Sequence, residues 1–294
     1  MQIMDGKLVS QTIKEKLREK LNENSQWRRP HLAAILIGSN SASETYVASK
    51  IRSCEEAGFE SSLFKFESGI SQKELLDKIK ELNQNDKVDG ILVQLPLPSQ
   101  IDELAILEAV DPSKDVDGFH PVNAGKLLQG VPCYIPATPY GIMLLLEHYG
   151  IPTEGKHAVI IGRSNIVGKP MSILLGRNSS PGNCTVTVLH SRSKDIAGMC
   201  RQADIVVAAI GKPGFVKANM VKEGAVVIDV GINRIEDPAK KSGFRLTGDV
   251  DYEAVAPKCS YITPVPGGVG PMTIAALMMN TYRAWQVHNN MIKN

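Results

Sequence analysis

The stretch HAVIIGRSNIVGKP, His157–Pro170, settles the architecture of the second half of this 294-residue chain. A short apolar run, Ala158–Ile161, closes on Gly162, and a polar turn leads to a second glycine, Gly168. A strand that ends in glycine and turns into a helix sets free backbone N–H groups beside a helix N-terminus. That is where a pyrophosphate is received. The G-x-G-x-x-G fingerprint is not met, because Ser164 holds the second glycine position and Gly168 falls one residue late. The context is stronger than the motif. TVTVLH (Thr185–His190), DIVVAAIG (Asp204–Gly211) and AVVIDVG (Ala225–Gly231) follow as strands, and SYITPVPGGVG (Ser260–Gly270) supplies a short strand and a glycine loop. The spacing predicts a Rossmann-like, doubly wound parallel sheet that binds a dinucleotide.

The end of the second strand indicates which dinucleotide. An NAD site carries an acidic residue roughly 20 residues after the loop, bonded to the ribose 2′-OH. Here that place reads HSRS, His190–Ser193, with no carboxylate. Ser191 and Arg192, with Arg163 in the loop, suit a 2′-phosphate, although a single arginine is more often a solvated surface residue. The expected cofactor is NADP, held by Gly162, Arg163, Ser164, Ser191 and Arg192.

The first half alternates in the same way. HLAAILIG (His31–Gly38), SSLFKF (Ser61–Phe66) and VDGILVQLPLP (Val88–Pro98) read as strands, with helices over Ser43–Ala57 and Ser71–Asn85 between them. Strand, helix, strand, helix, strand argues a mainly parallel sheet covered on both faces. Between Asp111 and Pro139 the chain is rich in Pro, Gly and Asp, a boundary with ordered turns. The fold class is therefore α/β with two α/β domains. The first is expected over 1–121, with a C-terminal helix at 273–294 docking back on it, and the second over 122–272.

Composition narrows the function. A formal charge of +2 with 22% charged residues gives no signal for a general nucleic-acid or anionic-membrane binder. No apolar run approaches the roughly 18 residues of a membrane helix, and the N-terminus reads as an amphipathic helix with Val9, Ile13, Leu17 and Leu21 four apart. The five cysteines are scattered without a C-x-x-C pair, which predicts reduced thiols in the cytoplasm. The histidines show no paired metal spacing, so no metal is expected.

In SETYVASKIRSCEEA, Ser43–Ala57, a helical wheel puts Lys50 on the apolar arc between Tyr46 and Cys54. A lysine there usually snorkels to water along its stem. Kept inside, it is desolvated and its pKa falls. The Tyr46-x-x-x-Lys50 spacing matches the Y-x-x-x-K of short-chain dehydrogenases. Here, however, the pair lies far upstream of the glycine loop and in another domain, so that family is set aside. Gln94 interrupts the apolar strand ILVQLPL near its C-terminal end, where ligands of parallel sheets collect. It is either a strand-end side chain in water or a partner for Lys50. Asp117, in DVDGF, is by itself a common turn residue, as is Asp115.

Four segments together resemble the bifunctional methylenetetrahydrofolate dehydrogenase/cyclohydrolase family. They are the helix with Tyr46 and Lys50; QKELLDKIKELNQNDKVDGILVQLPLP; KDVDGFHPVNAGKL, Lys114–Leu127; and TPVPGGVGPMT, Thr263–Thr273. GRSNIVGKP is similar to that family's cofactor loop, and Ala137 departs from the cysteine found in many relatives. The resemblance covers essentially the whole chain. It implies oxidation of methylenetetrahydrofolate by NADP⁺ and hydrolysis of the methenyl product to formyl-tetrahydrofolate, in one-carbon metabolism and purine biosynthesis, with the active site in a cleft between the domains.

Site roles follow from the same resemblance. Lys50, partnered by Gln94, assists the attacking water and the proton transfers, and Tyr46 stacks on the aminobenzoyl ring. Asp117 accepts two hydrogen bonds from the pterin edge, with Asp115 left as a turn residue. Pro266, Gly267 and Gly268 line the folate, and Ile232 lies at the nicotinamide side. A cytoplasmic homodimer is expected, with a folate substrate and no nucleic-acid or membrane partner. Two other readings remain open: a dehydrogenase with little cyclohydrolase activity, and a catalytically silent nucleotide-binding protein on the same fold.

Overall fold

The computed structural model describes residues 1–240 and 243–292; residues 293 and 294, the end of the expected C-terminal helix, lie outside the described residues. The chain opens with β1 (Gln2–Ile3), α1 (Gly6–Glu23), β2 (His31–Ile37), α2 (Ser41–Ala57), β3 (Glu60–Phe66), α3 (Gln72–Asn83) and β4 (Gly90–Val93). It continues with α4 (Glu103–Ala109), α5 (Pro121–Gln129), α6 (Ala137–His148), β5 (His157–Ile161), α7 (Gly168–Gly176), β6 (Thr185–Leu189) and α8 (Ile196–Arg201). β7 (Ile205–Ala208), β8 (Ala225–Asp229), β9 (Asn233–Glu236), β10 (Phe244–Thr247), α9 (Tyr252–Val255), β11 (Cys259–Ile262) and α10 (Val269–His288) complete it.

These elements form two compact units. A three-strand unit comprises Gln11–Ala137 with Ile274–Asn294, and a six-strand unit comprises Met1–Ser10 with Thr138–Thr273. No helix among the described residues is long and apolar enough to cross a membrane.

In the three-strand unit the order is β3-β2-β4, all parallel. β2 is central, and every residue after His31 is buried, as an uninterrupted Leu-Ala-Ala-Ile-Leu-Ile run requires. One sheet face packs Ala33, Ile35 and Ile91 against Leu75, Ile79 and Leu82 of α3. A capping box starts that helix: Ser71 Oγ accepts from the Glu74 N–H, and the Glu74 carboxylate accepts from the Ser71 N–H. The Pro/Gly-rich stretch read as ordered turns contains a helix, α5. His120 Nδ1 caps it by accepting from the Val122 N–H at 3.0 Å, and Pro121 occupies the first turn. Asn123 on α5 donates to the Asp115 carboxylate at 2.8 Å and to Pro112 O at 3.0 Å. These bonds bind α5 to residues 111–120, and the unit runs on to Ala137 rather than ending at 121.

The six-strand sheet has the order β1-β11-β8-β7-β5-β6, with every pair parallel. From β5 the chain winds outward to β6, then crosses back to β7 on the other side. The switch point therefore lies between β5 and β7, and such a crevice receives ligands at the C-terminal strand ends. The N-terminal residues join this unit, not the one expected. Gln2 and Ile3 pair with Tyr261 and Ile262, and the Met4 N–H donates to Ile262 O at 2.8 Å. The β9–β10 hairpin, antiparallel and off the main sheet, was not legible in the sequence pattern.

Candidate active site

Lys50 is 3% exposed on α2, between buried Val47 and Cys54, so it does not snorkel. Its Nζ donates to Gln94 Oε1 at 3.2 Å and stands 4.6 Å from the centroid of the Tyr46 ring. Gln94 is the first residue beyond β4. Its N–H extends the ladder by one bond to Ile35 O, and its Nε2 donates to Leu95 O at 2.7 Å. With its amide group turned back on the chain, the Gln94 carbonyl oxygen is committed to the lysine. Burial lowers the Lys50 pKa; the charges of Asp117 and Cys54 partly oppose it. Cys54 itself is pushed up to about 12 by burial and is an inert thiol.

Asp117 and Asp115 stand two residues apart and do different work. Asp115 accepts from the Phe119 N–H, the His120 N–H and Asn123 Nδ2, which makes it the organiser of the turn. Burial nevertheless pushes its carboxyl up to about 7 against those donors. Gly118, at φ +73°, lets the chain reverse where a Cβ would lie 2.6 Å from Pro136 N. Asp117 is also buried, yet no hydrogen bond among the described residues reaches its carboxylate. Burial raises its pKa, opposed by the charge of Lys50. A buried carboxylate without donors is costly, and it can accept a ligand's N–H groups. Tyr46, Lys50, Gln94 and Asp117 are thus the expected residues carried by the three-strand unit.

In the six-strand unit the expected residues fall into two groups. β5 and β6 pair in register to Ile161 and Leu189, and the Gly162 N–H donates to Leu189 O at 2.8 Å. The loop with Arg163 and Ser164 and the loop with Ser191 and Arg192 therefore start side by side, and all four residues are exposed. Gly162 sits at φ +128°, where an added Cβ would lie 2.2 Å from Ala209 O. A Cβ on Gly168 would lie 2.2 Å from Gly162 O, so the first turn of α7 is pressed onto the loop. Ser164 Oγ accepts from the Val167 and Gly168 N–H groups and so ties the loop to the entry of that helix.

The second group lines a cavity of ≈150 Å³ in the same unit, where Ile232, Pro266, Gly267 and Gly268 meet Lys7. Ile232 is 58% exposed, an apolar side chain left open at the end of the β8 loop. The Lys7 N–H donates to Gly267 O at 3.1 Å, and a Cβ on Gly6 would lie 1.8 Å from Gly268 O. Sequence reasoning missed this contact. The only available signal was a glycine at position 6 that the amphipathic helix pattern did not need.

Comparison with known proteins places these geometries in a context. Residues 4–117 match the model of the tetrahydrofolate dehydrogenase/cyclohydrolase catalytic domain, and residues 136–289 match the NAD(P)-binding domain of the same family. The chain is 57% identical over 286 residues to the bifunctional protein FolD of Bacteroides fragilis, covering 97% of this chain and 98% of that protein. The crystal structure of the bifunctional dehydrogenase/cyclohydrolase FolD from Campylobacter jejuni superposes with a TM-score of 0.92 at 49% identity, covering 99% of this chain and all of that one. The Trypanosoma brucei enzyme, solved with NADP and an inhibitor, gives 0.91 at 37% identity over 99% of this chain and 98% of its own.

Proposed function

We propose a function from one premise: this chain belongs to the tetrahydrofolate dehydrogenase/cyclohydrolase family. It oxidises methylenetetrahydrofolate to the methenyl cation with NADP⁺ and hydrolyses that cation to formyl-tetrahydrofolate. The observation that carries both steps is buried Lys50, held by half-buried Gln94, beside an Asp117 carboxylate without donors.

The Asp117 carboxylate accepts two N–H groups of the pterin edge, which orients the folate. Tyr46, one turn before Lys50, stacks on the aminobenzoyl ring. NADP⁺, when bound, takes the hydride from the methylene carbon. The exposed Arg163 and Arg192 suit its 2′-phosphate, with Ser191 beside them, and the tight Gly162 turn leaves backbone room for the pyrophosphate. Ser164 keeps the α7 N-terminus ordered for that group. Ile232 covers the nicotinamide side, and Pro266, Gly267 and Gly268 line the folate.

Hydrolysis then needs water at the cationic carbon. Burial favours the neutral Lys50 amine, which can take a proton from water as the new C–O bond forms. The same group returns the proton to the ring nitrogen as the C–N bond breaks, and the remaining hydroxyl proton passes to solvent as the formyl C=O forms. Gln94 holds the amine in place through both transfers.

The five cysteines are free, which suits a reducing cytoplasm. We place the enzyme there as a homodimer, on the family resemblance, with its formyl product supplying purine biosynthesis. The test of the activity is direct: methylenetetrahydrofolate with NADP⁺ or NAD⁺, following reduced cofactor and methenyl-folate separately. NADPH formation with little methenyl build-up is expected. Turnover with neither cofactor would overturn the reading.

A further inference from the structure

Asp249 and Asp229 are fully buried carboxylates, at 0% and 2% exposure, and neither forms an ion pair among the described residues. Backbone N–H groups hold them instead. Asp249 Oδ2 accepts from the Ile210 N–H at 2.7 Å and the Gly211 N–H at 2.9 Å, in the loop after β7. Its Oδ1 accepts from Asn233 Nδ2 at 2.9 Å, at the end of the loop after β8. Asp229, the last residue of β8, accepts from the N–H groups of Gly231, Asp249 and Val250 at 3.0, 2.8 and 2.9 Å. Gly231 and Gly248 make room for the carboxylates, since a Cβ on either would lie within 2.3 Å of a carboxylate oxygen.

These loops belong to the cofactor end of the sheet. Ala209, directly before Ile210, packs its carbonyl against Gly162, and Gly231 is followed by Ile232 on the cavity with Pro266–Gly268. We propose that Asp249, seated by Asp229, is a positioning residue for the dinucleotide: it fixes the Ile210–Gly211 and Gly231–Ile232 loops in the form that binds NADP⁺. The proposal rests on the functional reading above. A carboxylate suits the position because all three groups hydrogen-bonded to it are donors; an amide there would turn its NH₂ toward one of them.

The experiment compares Asp249→Asn and Asn233→Ala with the wild type in three measurements: amide hydrogen exchange without ligand, NADP⁺ dissociation constant, and cyclohydrolase turnover on methenyl-folate. Asp249→Asn is expected to speed exchange at Ile210 and Gly211 at least tenfold and to weaken NADP⁺ at least tenfold. Cyclohydrolase turnover should stay within threefold. Asn233→Ala, which removes one of the three donors, should weaken NADP⁺ by a smaller factor with the fold intact. Unchanged NADP⁺ affinity in both variants, or parallel loss of both activities with the melting temperature, would overturn the proposal. The exchange measurement needs no turnover. It therefore separates failure of the loop tie from failure of the enzymatic reading, which wild-type protein alone would reveal.

Discussion

Lys50 Nζ lies 3.2 Å from Gln94 Oε1, inside a helix face that is otherwise apolar. Two side chains at that distance, with the lysine 3% exposed, fix an amine away from bulk water, with the Asp117 carboxylate as its counter-charge. Burial lowers the lysine pKa, so the neutral form gains weight as pH rises. Hydrolysis should accelerate with pH until Lys50 is deprotonated, at an apparent pKa below the ordinary lysine value. Gln94→Glu puts a carboxylate against the ammonium and favours the charged form. The rising limb of the pH–rate profile should move up by about one unit or more; an unmoved limb would mean that Lys50 does not set it.

The glycine loop makes a different demand. An alanine at Gly162 would need φ +128° and would place its Cβ 2.2 Å from Ala209 O. Gly162→Ala should weaken NADP⁺ at least tenfold while cyclohydrolase turnover persists. Isothermal calorimetry with NADP⁺, beside an assay on methenyl-folate, measures both. The milder Ser164→Ala removes two hydrogen bonds at the entry to α7 and should cost about 1 kcal/mol in denaturant unfolding.

Cofactor choice is open to a charge test. Arg163 and Arg192 are exposed on neighbouring loops, and no carboxylate stands at 190–193. Arg192→Ser should raise KM for NADP⁺ roughly tenfold, the loss of one charge-assisted contact, and leave KM for NAD⁺ unchanged. Equal effects on the two cofactors would remove Arg192 from the 2′-phosphate.

Asp89 anchors the three-strand unit. It accepts from Arg28 Nη1 and Nη2 at 2.6 and 2.7 Å, from the His31 N–H at 2.9 Å, and lies 3.0 Å from His288 Nδ1 on α10. Burial pushes its pKa up, but the Arg28, His288 and His31 hydrogen bonds outweigh that and hold it below the ordinary value. A depressed carboxylate stabilises the fold fully above the unfolded pKa, about 3.9, and the contribution is lost as pH falls through the lower folded value. Asp89→Asn should therefore lose about 2 to 3 kcal/mol at pH 7, below the range for fully buried pairs because Arg28 is 31% exposed. The deficit should shrink below about pH 4, and urea unfolding across pH 3 to 7 would show it.

Much of the candidate site is legible in the sequence because its polar residues break apolar patterns. Lys50 interrupts a helix face, and Gln94 follows an apolar strand. The strand–glycine–helix signal around Gly162 needs only local spacing. The N-terminal strand was illegible for the opposite reason. Two residues have no periodicity, and their partners, Tyr261 and Ile262, lie at the far end of the chain. Asp229 and Asp249 were equally silent, since a carboxylate that serves backbone N–H groups looks like any surface acid until the loops are closed around it. The α5 helix hid behind Pro121 and Gly125, residues that argue for a turn unless the His120 cap and the Asn123–Asp115 bond are known.

One chain performs both steps, and we propose that Lys50 belongs chiefly to the second. The measurement is a time course of methylenetetrahydrofolate with NADP⁺ for wild type and Lys50→Met, recording NADPH and methenyl-folate as separate signals. The wild type should form NADPH with little methenyl-folate in excess. The variant should keep forming NADPH while methenyl-folate accumulates, its hydrolysis slowed by about 10²-fold or more, the loss expected for a proton-transfer group. Equal loss of both signals, or hydrolysis undiminished in the variant, would contradict the role assigned to Lys50.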